Sequence, residues 1–253
     1  MKYKLITLAL LLALTPNLNA KILKVNLVAN NWCPQHCIND KDSPGYLVEI
    51  AQSALDITKT QHSLTFQPWL RAVKNVNNGS FDGLLTPAKS EEKQLLRHNI
   101  VLASQRFCFY VKKSNNITLN TLFDFNFKSI AFVKGNHLGN EFMNYIEDKN
   151  NKVFVNKLLS NNNEFAPRVF SFLLKQRVDA IAITEDMGDF YLGHHPDINQ
   201  LVKKSYCTQK ESLHVGLNPT NTKRSEEISK ILDSGILKIK ENGTYDKILK
   251  NKI

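Results

Sequence analysis

The chain has 253 residues, 42% hydrophobic and 22% charged, with 33 lysines and arginines against 23 acids, for a formal charge of +10. This is enough apolar material for one large core or two small ones. The positive charges are scattered through stretches such as "VKKSN", "VKKSY" and "LKIKENGTYDKILKNKI". Without a block of like charges or an RNA-binding motif, nucleic acid is excluded as the expected partner.

Residues 1–20 have the layout of a cleaved secretory signal. "MKYK" supplies two lysines, "LITLALLLAL" an apolar run too short to span a bilayer, and "TPNLNA" a proline and a small residue at Ala20. The expected product is exported to the periplasm, and loss of the two lysines takes the charge from +10 to +8 (10 − 2). In that oxidising compartment the four cysteines, Cys33, Cys37, Cys108 and Cys207, are expected to pair.

Beyond the leader, short apolar strands alternate with amphipathic helices. "ILKVNLVA" reads as a strand, and "GYLVEIAQSALDIT" carries apolar residues at 46, 47, 50, 51, 54 and 55, a helical spacing. "HSLTFQ" is a strand, "PWLRAVKNVNNG" a helix entered through Pro68 and stopped by Gly79, and "FDGLLT" a strand. Ser90 is expected to cap a short helix with Glu91 and Glu92 in its first turn. After "FCFYVKK" the pattern restarts: strand "SIAFV", helix "NEFMNYIED" led by Gly135, strand "KVFVN", helix "PRVFSFLLKQ" and strand "VDAIAI". Asp82 and Asp179 open matching strands in the two units and read as structural turn residues. Such alternation implies an α/β fold of mostly parallel sheets flanked by helices, in two lobes. "SLHVGLNPTN" is a further strand and loop, and helices over 223–234 and 236–250 have no sheet of their own. The chain is therefore expected to return to the first lobe, with two crossings near Cys108 and Cys207 as a hinge.

"GYLVEIAQSAL", "PWLRAVKNVNNGSFDGLL" and "ILDSGILKIKENGTYDKIL" together resemble the family 3 extracellular solute-binding proteins, periplasmic receptors of polar-amino-acid-type ABC transporters. The resemblance implies a two-lobed periplasmic-binding-protein-like fold with two crossing strands as hinge. Lobe 1 would hold 21–107 and the return 212–253, and lobe 2 would hold 108–211. A small polar ligand would bind between the lobes, at the carboxyl ends of strands and near helix N-termini. The partner would be a membrane permease, and the protein a monomer without cofactor, metal or catalytic residue.

The strand ends give the candidate ligand residues. Trp32 ends the first strand, where the resemblance implies an aromatic wall, although core packing is an equal reading. Trp69 and Arg71 open a helix; the arginine can take an anionic group in a two-bond fork, or serve a surface ion pair. Thr86, Pro87 and Ala88 follow the third strand, in a loop that commonly holds ligand in such proteins. "SEEK" places Lys93 where an arginine is usual, and lysine cannot make the planar fork. In the second lobe Gly135, Asn136 and His137 lie between strand and helix, and Glu185 follows "VDAIAI" as the acid for a ligand amino group. A shift of one residue would favour Thr184 or Asp186 instead.

Cys33 and Cys37 have one residue too many between them for a thioredoxin-like motif, and with His36 they offer a zinc site three ligands without a fourth. A local disulfide stiffening the loop after Trp32 is the expectation, and Cys108 with Cys207 across the hinge is the second pair. A sensing module for a membrane partner and a cyclohexadienyl-dehydratase-like enzyme using Glu185 as an acid are the competing functions.

Overall fold

A computed structural model of the protein describes residues 23–38, 43–87, 94–115, 129–134, 138, 140–151, 153–158 and 165–251. Residues 1–20, expected to be a signal, Ser90 and its expected helix, Ala88, Lys93, Gly135, Asn136 and His137 lie outside the described residues. No helix among the described residues is long and apolar enough to cross a membrane.

The first sheet contains β1 (Lys24–Ala29), β2 (Gln61–Phe66), β3 (Gly83–Leu85), β4 (Leu96–Arg97) and, far along the chain, β12 (Val215–Leu217). Its order is β2-β1-β3-β12-β4, with β2, β1 and β3 parallel and β12 antiparallel to both neighbours. The period-2 alternation of β1 explains its burial on both faces. Val25, Leu27 and Ala29 point to one core with helices α1 (Tyr46–Ile57), α7 (Thr222–Glu241) and α8 (Thr244–Lys250), while Val28 joins α2 (Trp69–Asn77) on the other.

The second sheet has order β10-β6-β9-β7-β8, from β6 (Phe107–Lys112), β7 (Ser129–Val133), β8 (Phe154–Leu158), β9 (Ala180–Thr184) and β10 (Val202–Cys207). Here β9, β7 and β8 are parallel, and β6 runs antiparallel to β9 and β10. Phe107, Phe109 and Val111 of β6 face α3 (Asn140–Glu147), whereas Cys108 and Tyr110 face α4 (Phe165–Leu174) and α5 (Glu185–His194). Each fully buried phenylalanine of this kind contributes about 1.5–3 kcal/mol by leaving water. A short helix, α6 (Pro196–Asn199), leads into β10.

Two strands of a separate antiparallel ribbon, β5 (Ala103–Gln105) and β11 (Glu211–Leu213), connect the sheets. They lie a few residues outside the crossings expected at Cys108 and Cys207, which instead face each other in the β6–β10 ladder.

Two corrections concern the last segment and the stretch before it. The helical return breaks at Gly243, not between 234 and 236: α7 runs through Gly235, and Gly243 takes a φ of +80°. Gly235 is the point of closest approach to α1, where a side-chain carbon would collide with the Ala54 backbone. Helices α5 and α6 carry no sequence signal clear enough to be expected, since α5 (EDMGDFYLGH) mixes buried and polar residues without a clean stripe.

Asp82 and Asp179 are strand pins at matching positions. Asp82 accepts the Asn26 amide of β1 (2.8 Å) and a two-bond fork from Arg224 of α7 (2.5 and 2.9 Å). Asp179 accepts the Ser129 amide of β7 (2.9 Å) and its hydroxyl (2.9 Å).

Candidate functional site

The carboxyl ends of β1, β3 and β9 converge where the two lobes meet. After β1 the chain folds into a small closed loop: Trp32 N–H donates to the His36 carbonyl (2.7 Å), and His36 N–H donates back (3.0 Å). A disulfide joins Cys33 to Cys37 across it, and Asn31 Oδ1 accepts the Ile38 amide at its neck (3.0 Å). The start of α1 is bolted to this loop. Tyr46 and Leu47 donate their amides to the Pro34 and Gln35 carbonyls (3.1 and 3.2 Å), so these free N–H groups of the helix start are used internally. Gly45, at φ +102°, permits that approach, because a side chain there would strike the Gln35 backbone.

Trp32 of the loop and Tyr46 at the start of α1 aim their aromatic side chains at the second lobe. The Trp32 indole, 8% exposed, stacks on Phe165 of α4 with ring centres 5.3 Å apart, and its Nε1–H donates to Thr184 Oγ1 at 3.2 Å. Tyr46 donates its hydroxyl to Asp186 Oδ2 at 2.5 Å. Burial, then the neighbouring Asp186 charge, pushes the Tyr46 phenol far above its ordinary value, so it remains a donor. Gln35 also reaches Gln105 of the crossing strand at 3.1 Å.

Thr86 ends β3 in the left-handed region, φ +49°, an unusual conformation for a β-branched residue. Its Oγ1 lies 3.0 Å from His36 Nε2. His36 is buried, and its Nδ1 has no hydrogen-bond partner among the described residues. Burial lowers its pKa to about 3, so the ring is neutral at neutral pH.

The other expected residues fall in different settings. Pro87 is buried beside Thr86. Trp69 is half-buried and packs with Val28, Ala72, Val76 and Leu84, which matches its packing reading. Arg71 is exposed on α2, with no ion-pair partner among the described residues. Glu185 turns toward the crossing strands: Arg106 donates to both its oxygens (2.6 Å each) and Lys204 adds a third bond (3.0 Å). The Arg106 hydrogen bond leads in holding the Glu185 pKa at about 2, against the opposing effect of burial. A carboxylate held that low is ionised at neutral pH and has no proton to give there, which counts against Glu185 as a general acid. Lys204 is shared with Asp189 (2.7 Å), which also accepts from Tyr110 (3.3 Å).

Thr184 and Asp186 are the members of the Thr184–Asp186 trio that contact the first lobe. Strand alternation and the first helical turn decide this, and residue type alone gives no hint of it. Asp186 stands here as the one-residue alternative to Glu185, whereas His36 and Tyr46 were not expected at this interface; for His36 the polar "PQHC" stretch was the available signal.

Cys108 and Cys207 form the second disulfide, with Cα atoms 4.0 Å apart. Their sulfurs and the Glu185 carboxylate make the one cluster of metal-ligand type among the described residues, but the sulfurs are bonded to each other and the carboxylate to two cations.

No family model matches the chain, and no curated protein matches its sequence. Solved structures match its fold closely. An ancestral arginine-binding protein bound to arginine is 18% identical, with a TM-score of 0.73, over 91% of this chain and 98% of the other. A Listeria monocytogenes structure provisionally described as an L-cystine ABC transporter is 18% identical, with a TM-score of 0.71, over 91% and 96%. A histidine kinase sensor domain with similarity to periplasmic binding proteins is 11% identical, with a TM-score of 0.71, over 92% and 97%. The fold is the two-lobed one that the chain shares with these arginine-binding, transporter and sensor-domain structures.

Proposed function

We propose that the protein is an exported, periplasmic binding protein that captures a small polar, amino-acid-like ligand between its lobes and delivers it to the membrane permease of an ABC transporter. The observation that carries this reading is the convergence of Trp32, Thr184 and Asp186 from both lobes onto one interface, with Thr86 held by His36 of the Trp32 loop and β5 and β11 linking the sheets among the described residues. Ligands of open α/β sheets bind at such strand ends, and closure about a two-strand hinge buries them. We assign the ligand's amino group to Asp186 in place of Glu185, because Asp186 faces the other lobe and Glu185 is neutralised by Arg106 and Lys204. We assign the opposite end of the ligand to Thr86 and its loop with Ala88 and Lys93, offer Arg71 to an anionic group, and assign Gly135, Asn136 and His137 to the second-lobe contacts. We read the chain as a binder and not a catalyst, and as a monomer.

A thermal-shift screen of the oxidised protein against amino acids, amines, organic acids and prephenate tests this. A ligand at 100 times its dissociation constant adds about 2.7 kcal/mol of stability. The expected hit weakens at least about fivefold in Asp186→Asn and Thr86→Ala, each removing a charge-assisted or neutral hydrogen bond worth about 1–3 kcal/mol. A hit indifferent to both changes would overturn the site, and turnover of prephenate would overturn the non-enzymatic reading. The second reading, a ligand-sensing module for a membrane signalling partner, draws on the sensor-domain likeness. It is favoured if ligand binding is found but no transport follows when a matching permease is supplied.

A further inference from the structure

Across the interface Trp32 and Tyr46 reach side chains of the other lobe. Trp32 follows a first-lobe strand, yet its indole packs within the second-lobe core that holds Phe165, Ile183 and Met187. Tyr46 opens the first-lobe helix α1, yet its hydroxyl is spent on Asp186 in the first turn of α5. Both aromatic groups are almost fully buried, at 8% and 2% exposed. Trp32 sits on a loop closed by a disulfide and by the Trp32–His36 backbone pair, and Tyr46 starts the helix whose first amides bond to that loop. A preorganised donor pair loses little conformational entropy on docking. Opening the hinge would expose an indole and a phenol to water and separate two buried hydrogen bonds.

We propose that Trp32 and Tyr46 form a ligand-independent latch, docking the Cys33–Cys37 loop onto Phe165, Thr184 and Asp186, so that the protein rests closed and a ligand enters by displacing the tyrosine hydroxyl from Asp186. In this arrangement the first lobe supplies an internal surrogate for the ligand. The Tyr46 hydroxyl donates to Asp186 where a ligand ammonium would donate, and the indole N–H does the same at Thr184. A ligand that competes poorly for Asp186 cannot open the latch, which makes the tyrosine a filter for strong donors. The filtering role rests on the reading of this interface as a ligand cleft; the closed resting state does not.

The test uses the mature oxidised protein, unfolded and refolded to strip any carried ligand, with none added back. A Trp69→Phe background leaves Trp32 as the sole tryptophan, since the chain has two. Trp32 is expected to emit in the blue and to be quenched slowly by acrylamide. Tyr46→Phe and Thr184→Val each preserve side-chain volume and remove one latch bond, so each is expected to raise the open population about fivefold. The quenching constant and the radius of gyration from solution scattering should rise together, with cooperative thermal unfolding retained. Rapid quenching in the Trp69→Phe parent would overturn the latch whatever the variants do. So would two folded variants that quench as slowly as the parent. Because no ligand enters the experiment, these outcomes are independent of whether the ligand screen finds a hit.

Discussion

Arg106 and Glu185 meet in a planar fork, 2.6 Å on each arm, which ties the exit of the crossing strand β5 to the first turn of α5. Lys204 approaches the same carboxylate at 3.0 Å, next to the disulfide that joins β6 and β10. Glu185→Gln would leave the Arg106 guanidinium without its counter-charge, while Lys204 keeps Asp189. Arg106 is about a third exposed, so solvent screening limits the cost to about 1 kcal/mol, a fall of about 2–4 °C in Tm. The folded pKa of about 2 lies below the ordinary 4.5. The carboxylate's contribution is therefore complete above pH 4.5 and is lost as pH falls through 2. The gap between wild type and variant, followed by urea unfolding, should be smaller at pH 3 than at pH 7; an equal gap would count against the fork.

The buried histidines predict acid sensitivity in a higher window. His98 has its tautomer fixed by two partners: Nε2 accepts the Val215 amide at 2.9 Å, so Nδ1 bears the hydrogen, 3.3 Å from Asp233. Burial, reinforced by His214, lowers the His98 pKa from 6.5 to about 4, and burial lowers that of His36 from 6.5 to about 3. Between pH 6.5 and 4 the unfolded chain takes up protons that the native protein refuses. Stability therefore falls with pH across that interval, by about 1.4 kcal/mol per pH unit for each such histidine. Urea midpoints measured from pH 7 to pH 4.5 should decline, and His36→Gln should flatten the decline. A profile unchanged by that substitution would show that His36 titrates normally.

The two disulfides should differ in what they contribute. Cys33 and Cys37 are four positions apart and Cys108 and Cys207 are 99 apart. In the chain-entropy model the short loop contributes about 2 kcal/mol and the long one about 4.7 kcal/mol. Denaturant unfolding of the double alanine variants should show the larger loss for Cys108→Ala/Cys207→Ala. The reverse order would mean that packing around Cys33 and Cys37 outweighs loop closure.

Much of this architecture was readable from residue order because it rests on local periodicity. The β1 alternation of Val25, Leu27 and Ala29, the α1 stripe and the repeated helix-turn-Asp-strand unit each announce their element and its buried face. The hidden features are those in which a residue's partner is distant. Gly235 resembles a helix stop, yet it sits mid-helix because the Ala54 backbone lies against it. Helix α5 lacks a clean apolar stripe because its polar residues serve both the lobe interface and the hinge.

The sequence by itself determined the α/β class, the two repeated units and the nearness of Cys33 to Cys37, since spacing and alternation act over a few residues. Tertiary structure alone decided which acid after β9 faces the first lobe. Glu185 and Asp186 are adjacent carboxylates of similar chemistry, but the first helical turn points them in different directions, one to Arg106 and Lys204 and the other to Tyr46. It also decided that Trp32 packs on Phe165, 133 positions away (165 − 32), because an indole buries itself against whichever apolar surface the hinge brings to it.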